Sequence, residues 1–157
     1  MTGALDGILV ADFARVLAGP YATMLLADLG ATVVKVERPG AGDDTRAWGP
    51  PFAADGQSTY FQSVNRNKQS IALDLGDPHD RVLAQRLAAR CDVLVENYKP
   101  GALRRFDLDY ASVAAANADV IYCSVSGFGS GAGADLPGYD LLVQALGGLM
   151  SITGTDE

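Results

Sequence analysis

The residues of this sequence best suited to chemistry are basic. Arg38, Arg46, Arg66, Lys68, Lys99, Arg104 and Arg105 follow apolar, β-branched runs or lie in the loops beyond them. An arginine fork donates two parallel charge-assisted hydrogen bonds, the geometry that suits phosphate. The chain as a whole carries a net charge of −7, whereas nucleic-acid binders are usually basic. Cations gathered at one end of an acidic domain point instead to a small, multiply phosphorylated ligand. The competing reading is that some of them only solvate the surface. Arg38, directly after an apolar run, is the best placed for function.

Other chemistries fit poorly. A nicotinamide site wants G-x-G-x-x-G between the first strand and first helix. Here that turn reads ARVLAGP, with Gly19 its only glycine, although Glu37 stands where a ribose-binding acid would. The string GFGSGAG has the wrong spacing for a phosphate cradle and reads as a lid or substrate-side loop. Walker-type and G-x-S-x-G motifs are missing from the sequence. Cys91 and Cys123 read as buried free thiols, neither a disulfide framework nor a metal set. The single histidine, His79, reads as a surface residue.

The elements that must position these residues alternate in type. Residues 8–11, 32–36, 70–73, 93–95 and 120–125 read as strands. Gly19-Pro20 opens a helix that Gly30 closes, with Met24, Leu25, Leu26 and Leu29 at helical spacing. Asp77-Pro78 starts a second helix with Val82, Leu83 and Leu87 as its apolar face. Asp109 caps a third through Ala116, and residues 138–150 read as a last one. The pattern predicts an α/β, Rossmann-like, doubly wound and largely parallel sheet with helices on both faces. Ligands of such sheets bind at the carboxyl ends of the strands, where most of the basic residues fall. Residues 39–58 and 126–138 read as loops, the first long enough to be functional or mobile.

Composition agrees with one globular domain: 157 residues, 48% hydrophobic and 20% charged, are enough for a single core. No apolar run reaches the roughly 18 residues of a membrane span, and the first residues lack a secretory pattern. The expectation is a cytoplasmic protein with no nucleic-acid or membrane partner.

Four separated blocks then carry a resemblance. LDGILVADFARVLAGPYATMLLADLGATVVKVERPGAGDDTR, NRNKQSIALDL, DVLVENYKPGALRRFDLDY and PGYDLLVQALGGLMSITG resemble family III CoA-transferases. The match is colinear from about residue 4 to about residue 154. The α-methylacyl-CoA racemases belong to the same superfamily and share these blocks.

The resemblance implies a coenzyme A ligand, bound as substrate with no tightly held cofactor. It places Leu17 and Ala18 at the ligand, Arg38 at its nucleotide end, and Leu73, Asp74 and Leu75 around the adenine. It matches Asn97, Tyr98 and Lys99 to a ligand-contacting block and Arg105 to a basic residue near the phosphates. Asp140 corresponds to an acid near the reacting end, although it would also serve as a helix cap. The nucleophile of the family is an aspartate that the resemblance puts beyond residue 157; Asp156 has no matching motif around it. Racemases pair the acid at 140 with a histidine at the position of Phe128, which cannot move a proton, so transfer is favoured over racemisation. The expected parent is a longer chain forming an interlocked homodimer that acts on an acyl-CoA and a carboxylic acid. A non-catalytic module binding coenzyme A or a nucleotide is the alternative from another class.

Overall fold

The computed structural model describes residues 3–155. The strands are β1 (Leu9–Asp12), β2 (Thr32–Glu37), β3 (Lys68–Ala72), β4 (Val93–Glu96) and β5 (Ile121–Ser124). The helices are α1 (Ala18–Asp28), α2 (Thr59–Asn65), α3 (Pro78–Ala88), α4 (Tyr110–Ala116) and α5 (Asp140–Leu146). All strand pairs are parallel, in the order β3-β2-β1-β4-β5. The chain leaves β1 toward β2 on one side and leaves β4 toward β5 on the other, so the order reverses between β1 and β4. That reversal is the switch point of a doubly wound sheet.

Period-two alternation divides the core into two layers. Ala11, Phe13, Leu94 and Val36 pack with Ala84, Ala88 and Val113 from α3 and α4. Val10, Val33, Val95 and Ala14 pack with Ala27 of α1. Helices therefore cover both faces, as the alternation implies. The expected apolar helix faces are corrected. On α1 the buried residues are Gly19, Pro20, Thr23, Met24 and Ala27, while Leu25 and Leu29 are exposed. On α3 they are Ala84 and Ala88, while Val82 and Leu83 are exposed. Small residues win because these helices approach the sheet closely. At Gly19 a Cβ would lie 2.2 Å from that of Ala14, so only glycine fits.

Four further expectations are adjusted. β3 begins at Lys68, two residues early, because it pairs with β2 from Val33↔Lys68 onward. Helix α2 was not expected. Its Ser58 cap accepts a hydrogen bond from the Phe61 N–H at 3.3 Å and donates one to the Trp48 carbonyl at 2.6 Å. The last helix stops at Leu146, because Gly148 adopts φ 79° and the chain re-forms only as a short turn at Leu149–Ile152. Cys91 is buried, and its thiol pKa is pushed by that burial up to about 11, but Cys123 is exposed on the edge strand β5. His79 lies at the surface in the first turn of α3.

Candidate functional site

The site is built at the carboxyl ends of β1 to β4, above a layer of buried charge. Asp12, Lys35 and Ser70 stand in one row across β1, β2 and β3. Lys35, with 1% of its side chain exposed, donates to the Ala14 carbonyl at 2.8 Å and to Asp43 at 2.9 Å. Asp43 also accepts from Thr45 N–H and Oγ1 and from the Val16 N–H. Burial works to raise the Asp43 pKa, but the Lys35 charge and the Thr45 bonds outweigh it and hold it low. Glu37 accepts two bonds from Arg46 (2.6 and 2.7 Å), one from Ser70 and one from the Asp43 N–H. Against the upward push of burial, these hold its pKa at about 2. The Phe61 ring of α2 lies 3.8 Å from the Arg46 guanidinium carbon and fixes it from the other side. Asp12 pairs with Lys68 at 3.0 Å and accepts from Thr23 at 2.7 Å.

This layer shapes the loops above it. Val16 sits at φ 71°, a genuine outlier for a β-branched residue, held there by its N–H bond to Asp43. The strained turn opens the N-terminus of α1, whose first turn holds no acidic residue and whose capping position, Leu17, makes no side-chain bond. An anion is favoured at such an end.

Across the switch point, Asn97 ties the turn after β1 to the turn after β4. Its amide nitrogen donates to the Arg15 carbonyl at 2.7 Å, and its oxygen accepts from the Arg15 N–H at 2.8 Å. The Arg15 guanidinium lies 5.0 Å from the Tyr98 ring centre, and its Nε is buried without a partner. The charges of Arg15 and Arg38 both act on the Tyr98 phenol, against the burial that raises its pKa. Arg38 Nη2 bonds Asp44 at 2.5 Å, and Arg15 Nη1 stands 3.8 Å from the same carboxylate. A cavity of about 390 Å³ is lined by Trp48, Pro50, Thr59 and Tyr60.

The residues singled out in the sequence fall as follows. Leu17 and Ala18 (after β1), Arg38 (after β2), Asn97 to Lys99 (after β4) and Arg105 (in the short turn Ala102–Phe106) all stand at the carboxyl end. Leu17, Arg38, Lys99 and Arg105 are exposed there. Leu73, just past β3, is buried in the core, with Leu75 and Tyr98 packed against the same cluster. Asp74 accepts from the Gly76 N–H. Lys99 pairs with Asp135 of the glycine-rich loop at 2.9 Å. Asp140 is the first residue of α5, not its cap, which is Tyr139, and it accepts from Gln144 one turn on.

Beside Arg38 and Lys99, three more of the basic residues are ion-paired. Arg66 precedes β3 and pairs with Asp28 at the end of α1, Lys68 is buried on Asp12, and Arg46 is committed to Glu37. Sequence reasoning missed Asp12, Lys35, Asp43, Arg15 and Asp44. A signal existed for two of them: a lysine inside the apolar run TVVKVE and an aspartate closing LVAD must each find a buried partner.

Fold and site together define a doubly wound α/β domain whose switch-point crevice is edged by arginines. The chain belongs to CoA-transferase family III, whose family model matches residues 5–157. It is 53% identical over 154 residues to a succinyl-CoA:glutarate CoA-transferase of Mus musculus, covering 98% of this chain and 35% of that protein. It is 51% identical over 164 residues to a succinyl-CoA:mesaconate CoA-transferase of Haloarcula hispanica, covering 99% of this chain and 41% of the other. A crystal structure of a CAIB/BAIF family protein from Brucella suis superposes with a TM-score of 0.93 at 47% identity, over 100% of this chain and 43% of that one. The chain thus spans roughly two-fifths of the length of these relatives. Among the described residues no group of His, Cys, Asp and Glu side chains is arranged to hold a metal ion, and no helix is long and apolar enough to cross a membrane.

Proposed function

We propose that the protein carrying this chain moves coenzyme A between dicarboxylic acids, and that this domain holds the coenzyme. The observation that carries the reading is the switch-point crevice, where a strained turn, a helix N-terminus and the exposed Arg38 meet. The acyl class follows the relatives, several of which are named for succinyl-CoA paired with a second dicarboxylate. Leu17 and Ala18 contact the coenzyme, Arg38 and Arg105 its phosphates, and Leu75 and Asp74 border the adenine over the buried Leu73. Tyr98 and Lys99 line the far wall, and Asn97 acts through the Arg15 backbone it holds. The nucleophile is an aspartate outside residues 1–157: it attacks the acyl-CoA thioester and expels the CoA thiolate, leaving an anhydride, and the thiolate then attacks the aspartyl carbonyl, releasing the donor carboxylate and leaving an aspartyl-CoA thioester. The acceptor carboxylate runs the same two steps in reverse. Splitting the transfer this way replaces one hard step by easier ones. Asp140 supports the reacting end. The working assembly is a cytoplasmic homodimer of interlocked chains, with coenzyme A as substrate and no tightly bound cofactor.

The test is a transfer assay with the whole protein, succinyl-CoA and glutarate, following CoA esters by mass spectrometry. Glutaryl-CoA is expected, without deuterium exchange at the α-carbon of a 2-methylacyl-CoA, since Phe128 offers no second base. Rapid exchange with inversion and no CoA transfer to any dicarboxylate would overturn the reading in favour of racemisation.

A second measurement addresses the phosphate contacts. A charge-assisted hydrogen bond contributes roughly 1.5–3 kcal/mol, so Arg38→Ala or Arg105→Ala weakens CoA binding about 10- to 100-fold by calorimetry. Both side chains are exposed, so the fold survives. Unchanged affinity in both variants would remove the phosphate assignment.

A further inference from the structure

We propose that Arg15 and Arg38 form a two-arginine clamp for one phosphate group of coenzyme A, and that Asp44 holds the clamp closed until the phosphate displaces it. The inference rests on the reading of coenzyme A as the ligand.

Arg15 stands at the switch point, and its position is set by its backbone. Both hydrogen bonds to Asn97 use the N–H and carbonyl of residue 15, so the guanidinium is not needed to hold the turn. The Tyr98 ring, 5.0 Å from the guanidinium carbon, orients that group without using its donors. Those donors are under-used, since Nε is buried with no partner and Nη1 reaches its nearest acid only at 3.8 Å. That acid, Asp44, is already bonded to Arg38 at 2.5 Å.

Two guanidiniums thus converge on one carboxylate, and one positive charge is left over. A phosphate monoester carries up to two negative charges and three acceptor oxygens, enough to satisfy both forks where the carboxylate serves one. Ligand access is open: the side chains of Arg15, Arg38 and Asp44 are 34%, 52% and 47% exposed. Asp44 can also leave without undoing its loop. The neighbouring Asp43 and Thr45, both buried, anchor the short turn Asp44–Ala47 through Lys35 and the Val16 N–H, and none of those bonds involves the Asp44 side chain.

The two halves of the clamp predict changes of opposite sign. Calorimetry with the whole protein would compare CoA, dephospho-CoA (which lacks the 3′-phosphate) and pantetheine, which has no phosphate. Arg15→Ala is expected to weaken CoA binding about 10-fold, with Arg15→Lys intermediate because charge remains while the fork is lost. Asp44→Asn is expected to tighten CoA binding several-fold and to leave pantetheine unaffected. Whichever phosphate fills the clamp is identified by whether dephospho-CoA keeps or loses these effects. An Arg15→Ala protein with wild-type affinity, or an Asp44→Asn protein that binds more weakly, would overturn the clamp while leaving the coenzyme reading intact. No binding of CoA by the unmutated protein would overturn the coenzyme reading, and the clamp with it.

Discussion

Replacing Lys35 by Met is expected to destabilise the domain by about 3–5 kcal/mol, the cost of breaking a buried ion pair from one side. Lys35 and Asp43 are 1% and 0% exposed, so water cannot take the place of the lost ammonium. The methionine fills much of the same space, so the loss is that of the charge and of the hydrogen bond to the Ala14 carbonyl. Asp43 would be left as an uncompensated anion that still accepts from Thr45 and Val16. Its pKa must then rise, because burial already pushes it upward and Lys35 is the main opposing charge. Urea denaturation at pH 7 measures the effect. Adding Asp43→Asn to Lys35→Met is expected to recover a large part of it, since the amide keeps one acceptor and carries no charge. A single Lys35→Met variant within about 1 kcal/mol of the parent would show that Arg46 and Lys68 neutralise Asp43 between them.

Acid is expected to remove about 3 kcal/mol of stability through Glu37 alone. Its pKa is held at about 2 in the fold against an ordinary value of 4.5. The folded state is the weaker proton binder, so the contribution is fully present above about pH 4.5. It is lost as pH falls toward 2, and each unit of difference corresponds to about 1.4 kcal/mol. Glu37→Gln abolishes the titration and replaces an acceptor of Arg46 by a donor. That variant is expected to be less stable at pH 7 and to converge on the parent near pH 2. Asp43, Asp28 and Asp77 titrate in both proteins, so the difference between the two stability curves isolates Glu37. Parallel curves from pH 6 to pH 2 would mean that burial cancels the bonds from Arg46, Ser70 and Asp43, leaving no net shift at Glu37.

Much of the sheet was legible in the sequence because parallel strands buried on both faces read as short apolar runs. The runs at Val33 and Leu94 are such cases. The helix faces were less legible, since the residues touching the sheet are small. Ala84 and Ala88 carry little hydrophobic signal, while the exposed Val82 and Leu83 carry a strong one. Helix α2 was missed because it is short and its burial is limited to Val64 and Asn65. Arg38 and Arg105 stand out in the sequence because they follow a strand or lie in the loop beyond one and fall within the resembling blocks. Arg46 and Lys68 look the same in sequence, and only tertiary pairing with Glu37 and Asp12 shows that they support the loops instead. Arg15 escaped notice because its setting depends on Asn97 and Tyr98, more than 80 residues away in the chain.

The Asn97 bridge separates two kinds of heritable change. Since it grips only main-chain atoms of residue 15, mutation of the side chain there leaves the width of the crevice untouched. Mutation of residue 97 alters that width whatever side chain position 15 carries. A lineage could therefore exchange the group offered at position 15 without rebuilding the gap, while position 97 is constrained. In a library of paired variants scored for folding and not for ligand binding, substitutions at 15 should be tolerated singly, and those at 97 should depend on compensating changes in both turns.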